Sequence, residues 1–375
     1  MSRKLDIETV EIGQTYETTF WANPVESSDF RFRATHLDGA RAPKVVLSDD
    51  PQIRPGTPCL VRVTAVRKPA RNDRGAIEVS LVRHLDFAIE GVYIDPIVSR
   101  KLQVLLESGL NILLDGPQGC GKTVLARAIA SSLGMEFVFF NCAAVLDATD
   151  FLAQIRVRAS ESGAPMTDFV KTEVLLALEE AAQHPKRRYL IFLDELNRAN
   201  ETARNGLMPS LDATRKLYNP VSNDFLSITD NVQFIAAVNR GSEFTGTFGI
   251  DAAQLDRFAP LQLTYLPVEE EAKLLEKRHP ELSKTLIRKI VQLADMVRKS
   301  PEVTTGLSVR ATDEVCVYLK HPLFENEQAH ILPEVLKSSF CGRFQGRWDD
   351  VASDAGAVWA LIQQGIKAIA KGKLE

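Results

Sequence analysis

No apolar run in these 375 residues approaches the ~18 that a membrane-spanning helix needs. The opening MSRKLDIETV is charged and has no apolar centre, so no signal peptide is expected there. Cysteine is scarce: Cys59, Cys120, Cys142, Cys316 and Cys341 are scattered, odd in number and never in C-x-x-C spacing. That excludes a disulfide framework and predicts a reducing, cytoplasmic setting. No Cys or His residues stand at zinc-ligand spacing, which excludes a structural zinc site. Neither sign of charge is in excess: Lys plus Arg is 45, Asp plus Glu is 49, and the net is -4. Global charge therefore holds the chain to neither DNA nor anionic lipid. Low-complexity tracts and internal repeats are also lacking. What is present is ordinary globular composition, 45% hydrophobic and 25% charged, which excludes a disordered chain. At roughly 150 residues per domain, the length predicts two to three domains.

Residues 1–90 predict a small β domain. Tyr16–Trp21, Phe30–His36, Lys44–Leu47, Cys59–Val66 and Ala76–Val82 are rich in β-branched and aromatic residues. Turn-rich pieces such as NPVESSD and RPGTP separate them. The last two strands flank the polar KPARNDRG and predict a hairpin. Five such strands can close into a barrel of OB or SH3-like type. Between Arg54 and Arg83, seven basic residues (Arg54, Arg62, Arg67, Lys68, Arg71, Arg74, Arg83) face two acids (Asp73, Glu78), a net +5. A basic hairpin can track a nucleic-acid backbone. Aromatics for base stacking are few there, so protein docking or a structural role is favoured.

Residues 91–266 change character, with apolar strands alternating with amphipathic helices. Helices are expected at Asp95–Ser108, Lys122–Leu133, Val170–Gln183 and Asn200–Ala213. Strands are expected at Asn111–Asp115, Phe137–Asn141, Tyr189–Asp194 and Asn231–Val238. This alternation predicts an α/β fold, a parallel sheet with helices on both faces. Residues 267–375 turn all-helical, at Glu269–Lys277, Leu282–Lys299, Ser308–Leu319 and Ala355–Lys371.

Within the α/β unit, Gly116-Pro117-Gln118-Gly119-Cys120-Gly121-Lys122-Thr123 matches G-x-x-x-x-G-K-[ST] in full. The strand NILLD precedes it, and a helix continuing through Val124 follows. The glycines let the backbone curl so that its N–H groups point at phosphate oxygens. The helix N-terminus adds partial positive charge. Lys122 can reach the β and γ phosphates, and the Thr123 hydroxyl can ligate Mg²⁺. Cys120 serves mainly through its backbone. Downstream, Leu190-Ile-Phe-Leu193 is an apolar strand ending in Asp194 and Glu195. At the carboxyl end of a central parallel strand, Asp194 would hold Mg²⁺ through water. Glu195 is placed to polarise an attacking water.

These residues, with Asp194-Glu195-Leu-Asn-Arg-Ala199, Asn239, Ala253-Gln-Leu-Asp-Arg-Phe258 and Gly306-Leu-Ser-Val-Arg-Ala311, resemble the AAA+ ATPases. The similarity covers roughly residues 95 to 320 and is nearest the MoxR branch of CbbQ, NorQ and GvpN proteins, through FTGT and LSVRA. McrB and dynein-like modules share a looser version. The resemblance implies a P-loop core with a helical lid. It implies ATP and Mg²⁺ as cofactors, with ATP favoured over GTP. Asn239 would be sensor 1, Arg257 the arginine finger acting in a neighbouring subunit, and Arg310 sensor 2 on the lid. Arg198 and Arg204 are rival finger candidates. The implied assembly is a homo-oligomer, usually a hexamer, that remodels a protein partner, often one with a von Willebrand A domain. The alternative is an McrB-like or defence-associated motor whose N-terminal domain binds nucleic acid. Arg240 stands where the family usually has Pro. Asp150–Thr167 and Asn219–Asp230 correspond to places where relatives carry hairpins; either could grip a substrate or be an ordinary loop.

Overall fold

Strand-forming and helix-forming segments separate along the chain as their periodicities require. The computed structural model describes residues 9–22, 32–34, 44–47, 58–68, 70, 75–84, 89, 91–159, 165–239, 248–303, 306–324 and 327–370. Most of KPARNDRG, all of FTGT, Arg240 and the ends of the expected strand Phe30–His36 lie outside them.

The N-terminal strands are β1 (Thr15–Ala22), β2 (Phe32–Ala34), β3 (Lys44–Leu47), β4 (Pro58–Arg67) and β5 (Ala76–His84). They form one five-stranded sheet in the order β2-β1-β4-β5-β3. β4 and β5 are antiparallel as expected of a hairpin, while β3 joins β5 in parallel. β2 and β3, at the two ends of that order, lie beside each other. Alternate residues of these strands meet inside: Tyr16, Val45, Cys59, Val61, Val63, Ile77 and Val79 are buried together.

The central unit opens with α1 (Pro96–Glu107). Asp95 caps it by accepting from the N–H groups of Ile97 and Val98, and Pro96 occupies a first-turn position where no amide donor is needed. There follow β6 (Ile112–Asp115), α2 (Lys122–Ser132), β7 (Glu136–Asn141), β8 (Ala153–Ala159), β9 (Pro165–Lys171), α3 (Glu173–Gln183), β10 (Tyr189–Asp194) and α4 (Glu201–Leu211). Then come β11 (Lys216–Asn219), β12 (Asp224–Ser227), β13 (Val232–Val238), the short α5 (Ala252–Leu255) and β14 (Ala259–Gln262). The main sheet is parallel, in the order β14-β6-β13-β10-β7. β13 is buried throughout and β10 nearly so, because helices cover both faces. Ile191, Leu193, Phe234 and Ala236 pack with α3 and α4. Their neighbours Leu190, Phe192, Ile235 and Ala237 pack with α1 and α2.

Two antiparallel hairpins leave this sheet. β8 and β9 pair from Ala153↔Lys171 to Ala159↔Pro165, and β11 pairs β12. The first corrects a boundary. Val170 was expected to begin α3, but it pairs with Gln154, and the helix starts at Glu173 behind the Thr172 cap. Ladder hydrogen bonds outweigh the helical preference of two residues. Ile155, Val157 and Phe169 are exposed on the first hairpin, Tyr218 and Phe225 on the second. β14 was not anticipated: four residues containing Pro260 carry no strand period, and Pro is tolerated there because β14 is an edge.

The C-terminal unit comprises α6 (Val268–Arg278), α7 (Lys284–Lys299), α8 (Val309–Leu319), α9 (Gln328–Ser339) and α10 (Asp354–Ala370). Ile287, Ile290, Val291, Ala294, Val315, Leu336, Phe340 and Val358 form its core. α9 was also unanticipated; Pro333 inside it obscures the helical period. No helix among the described residues is long and apolar enough to cross a membrane.

Candidate active site

The phosphate loop joins buried β6 to α2, and its backbone takes the curled form that glycine permits. Gly119 and Gly121 have φ of +74° and +99°, a region costly for residues with a Cβ. Space forbids a side chain as well. A Cβ on Gly116 would lie 2.7 Å from the Leu263 carbonyl oxygen, and one on Gly119 would overlap Ser308 Cβ. The loop borders a cavity of about 530 Å³, a size suited to a nucleotide-scale ligand. Gln118, Val124, Asp194, Glu195, Asn239 and Arg310 also line it.

Lys122 is 7% exposed, and its ammonium donates to Gly116 O at 2.7 Å, Pro117 O at 3.0 Å and Asn239 Oδ1 at 2.7 Å. Burial pulls its pKa down, and the carboxylates of Asp194, Asp115 and Glu195 oppose this. Burial pushes the Cys120 thiol up, with Lys122 opposing. That burial explains why this cysteine is no ready nucleophile: the thiolate form is disfavoured.

Asp194 sits at the carboxyl end of β10, as expected. Its Oδ2 accepts from Thr123 Oγ1 at 3.2 Å and its Oδ1 from the Glu195 N–H at 3.0 Å. A hydroxyl and a carboxylate converging at the loop form a hard oxygen pair, the donor chemistry that suits Mg²⁺. Glu195 follows with φ of 52°, a left-handed conformation rare outside glycine. That kink ends the strand and turns the carboxylate toward Arg198, whose Nε is 3.1 Å from Glu195 Oε2. Asn239 directly follows β13, which pairs with β10 in parallel. Its backbone oxygen accepts from Asn197 Nδ2 at 2.7 Å. Sequence reasoning passed over Asn197, although it lies in the quoted acidic segment and is 4% exposed.

Of the three finger candidates, Arg204 is buried while Arg198 and Arg257 are half-buried. Arg204 is 0% exposed and donates to Ala199 O, Gly249 O and Gln254 Oε1, all in its own chain. It braces the segment before α5, with its guanidinium fully engaged within the chain. Arg198 is held by Glu195. Arg257 donates through Nη1 to Ala253 O, and its Nε has no hydrogen-bond partner among the described residues. Arg257 is not among the residues lining the cavity, whereas Arg310, at the second position of α8, is. Sequence reasoning also missed Tyr265, Val92 and Ile94 at the cavity wall. The GVYIDP alternation ahead of α1 could have flagged the last two, while Tyr265 sits in a connection with no motif.

A parallel sheet with a glycine-rich phosphate loop after one strand and an acidic pair after another defines the P-loop class of nucleotide hydrolases. Residues 111–258 match the family model of the AAA domain, dynein-related subfamily. Over these residues the chain is similar to an AAA domain, a P-loop ATPase module, and the activity that this supports is ATP hydrolysis. Among relatives, an uncharacterized protein of Staphylococcus saprophyticus is 28% identical over 204 residues, covering 54% of this chain and 74% of that protein. One from Staphylococcus haemolyticus is 26% identical over the same length, with the same coverage. Among solved structures, the Thermotoga maritima RuvB Holliday junction branch migration motor aligns with a TM-score of 0.41 at 17% identity, covering 65% of this chain and 69% of that one.

Proposed function

We propose that the chain is a ring-forming AAA+ motor of the MoxR type that couples Mg²⁺-dependent ATP hydrolysis to remodelling or activation of a protein partner. Six subunits is the expected ring, and a protein with a von Willebrand A domain is the expected partner. The observation that carries this reading is a split in the arginines. Arg310 borders the same cavity as Lys122, Thr123, Asp194, Glu195 and Asn239, while Arg257 stands outside it. An arginine outside its own cavity, with its Nε unpaired among the described residues, gains a purpose at a neighbour's site.

In this reading the backbone of residues 116–123 and the α2 N-terminus bind the phosphates, with Lys122 against the β and γ groups. Thr123 and Asp194 would hold the cation, which when bound would neutralise charge on the phosphate oxygens. Glu195 takes a proton from the attacking water, and Asn239 orients that water or the γ-phosphate. Arg257 meets the transition-state charge from the adjacent subunit, a contribution of about 10³–10⁵ in rate. Lid motion about the connection after β14 transmits the cycle. Residues 1–90, 91–266 and 267–375 serve as docking, motor and lid units. The cyclic strand order β1-β2-β3-β5-β4 of the first is that of an OB-type barrel.

Steady-state ATP hydrolysis by the full chain tests the assignment. Glu195→Gln should bind ATP normally and turn over about 10²–10⁴-fold more slowly; wild-type turnover would refute the role. Arg257→Ala and Lys122→Ala should each be inactive alone. Mixed, they should recover partial activity, because a Lys122→Ala subunit still offers Arg257 to its neighbour. Absence of recovery would place the finger in cis.

A further inference from the structure

Tyr265 stands in the connection between β14 and α6, and its hydroxyl meets two carbonyls at once. Gln118 O, in the phosphate loop, is 3.3 Å away, and Gly306 O, just ahead of α8, is 3.1 Å away. A phenol has one proton to donate and a carbonyl has none, so the hydroxyl satisfies one of them at a time.

The ring itself is held from the lid side. Gly306 lies so close that a Cβ there would come within 2.6 Å of Tyr265 Cε2. The Arg298 guanidinium is 4.8 Å from the ring centroid, within cation–π range. Arg298 is in turn immobilised. It grips Glu271 with Nη1 at 2.6 Å and Nη2 at 3.1 Å, and its Nε donates to Leu307 O at 2.6 Å. Thr312 Oγ1 also donates to Glu271 Oε1, at 2.6 Å. Glu271, Arg298 and Thr312 come from α6, α7 and α8, so three lid helices stand behind the tyrosine. A second contact joins loop and lid directly, where Gly119 abuts Ser308, the residue that starts α8. Arg310 is two residues further on.

We propose that Tyr265 is a positioning residue that registers the phosphate loop against the lid and so sets Arg310 over the γ-phosphate. This rests on Arg310 acting as sensor 2. As the loop closes around phosphates, Gln118 O shifts relative to the hydroxyl, and the change of acceptor is felt at the Gly306 turn from which α8 departs. The buried Glu271–Arg298 pair holds the ring and, through Thr312 and Leu307, the start of α8 as one body, so the register of Tyr265 against the loop is also the register of Arg310.

Tyr265→Phe removes the hydroxyl and keeps the ring with its Gly306 and Arg298 contacts. The full chain, Tyr265→Phe, Arg310→Ala and the double variant would be compared for ATP turnover and for binding of a fluorescent non-hydrolysable ATP analogue. With one neutral hydrogen bond lost, kcat should fall about three- to tenfold while the analogue Kd stays within about twofold. The double variant should be no slower than Arg310→Ala. Losses that multiply would overturn the proposal, because Tyr265 would then act independently of Arg310. An unchanged kcat in Tyr265→Phe would overturn it as well. A silent Arg310→Ala would remove the sensor 2 assignment and the proposal with it, an outcome the single variant identifies by itself.

Discussion

Removing the Glu271 carboxylate should destabilise the lid more than any single surface change. Glu271 is 0% exposed, and the side chain of its partner Arg298 is 4% exposed. In Glu271→Ala, Thr312 keeps an acceptor in Val309 O at 2.9 Å, so little of the cost falls there. Arg298 keeps Leu307 O and the Tyr265 ring but loses both carboxylate bonds and the counter-charge of Glu271. Breaking a buried pair from one side costs about 3–5 kcal/mol. The two contacts that remain place this case near 3 kcal/mol, still roughly a 150-fold shift in the folding equilibrium. Urea unfolding followed by tryptophan fluorescence would measure it, since Trp348 and Trp359 stand 6.3 Å apart in the lid. Glu271→Leu with Arg298→Met should recover much of the loss, because two well-packed apolar groups no longer bury an unpaired charge. A single-variant loss below about 1 kcal/mol would mean the pair behaves as an exposed one. A double variant as unstable as the single would mean packing and not charge sets the cost.

Two further outcomes follow from burial at other sites. Arg204→Met should lower stability by about 2–4 kcal/mol, by stranding acceptors at Ala199, Gly249 and Gln254, and lower ATP turnover by loosening the segment before Arg257. Lost turnover with an unchanged melting temperature would contradict the bracing role. Alkylation of Cys120 by iodoacetamide should be slower than that of a free thiol near neutral pH and should accelerate as pH rises above the ordinary thiol range. The sign follows from the raised pKa, since the reactive thiolate is scarcer at any given pH below it. Bound ATP should protect Cys120, as measured by mass spectrometry; free-thiol kinetics would refute its burial.

Much of the α/β unit was legible beforehand because its signals are local. Tyr189–Asp194 is apolar until its last residue, and both strand and carboxylate can be read without knowing a neighbour. Asp95-Pro96 announces the start of α1 through capping chemistry alone. The hairpin β8–β9 was only permitted by the Ile155–Arg158 alternation. Its pairing with Thr167–Val170 exists between segments, and no single-segment propensity shows it. β14 has the same character, a strand because β6 offers it a free edge.

By itself, the sequence determined the phosphate loop, the acidic strand end and the alternation that makes a parallel α/β sheet. Each rests on residue types within one or two turns of chain. Tertiary structure alone decided what the arginines are for. Arg204, Arg257 and Arg310 are chemically identical, and only burial and the cavity wall separate the buried brace Arg204 from Arg257 outside the cavity and Arg310 on its wall. It also decided that Tyr265 touches both Gln118 and Gly306, positions 147 and 41 residues away along the chain. Such a contact costs chain entropy that only the packed lid and core together can offset, and so no local pattern encodes it.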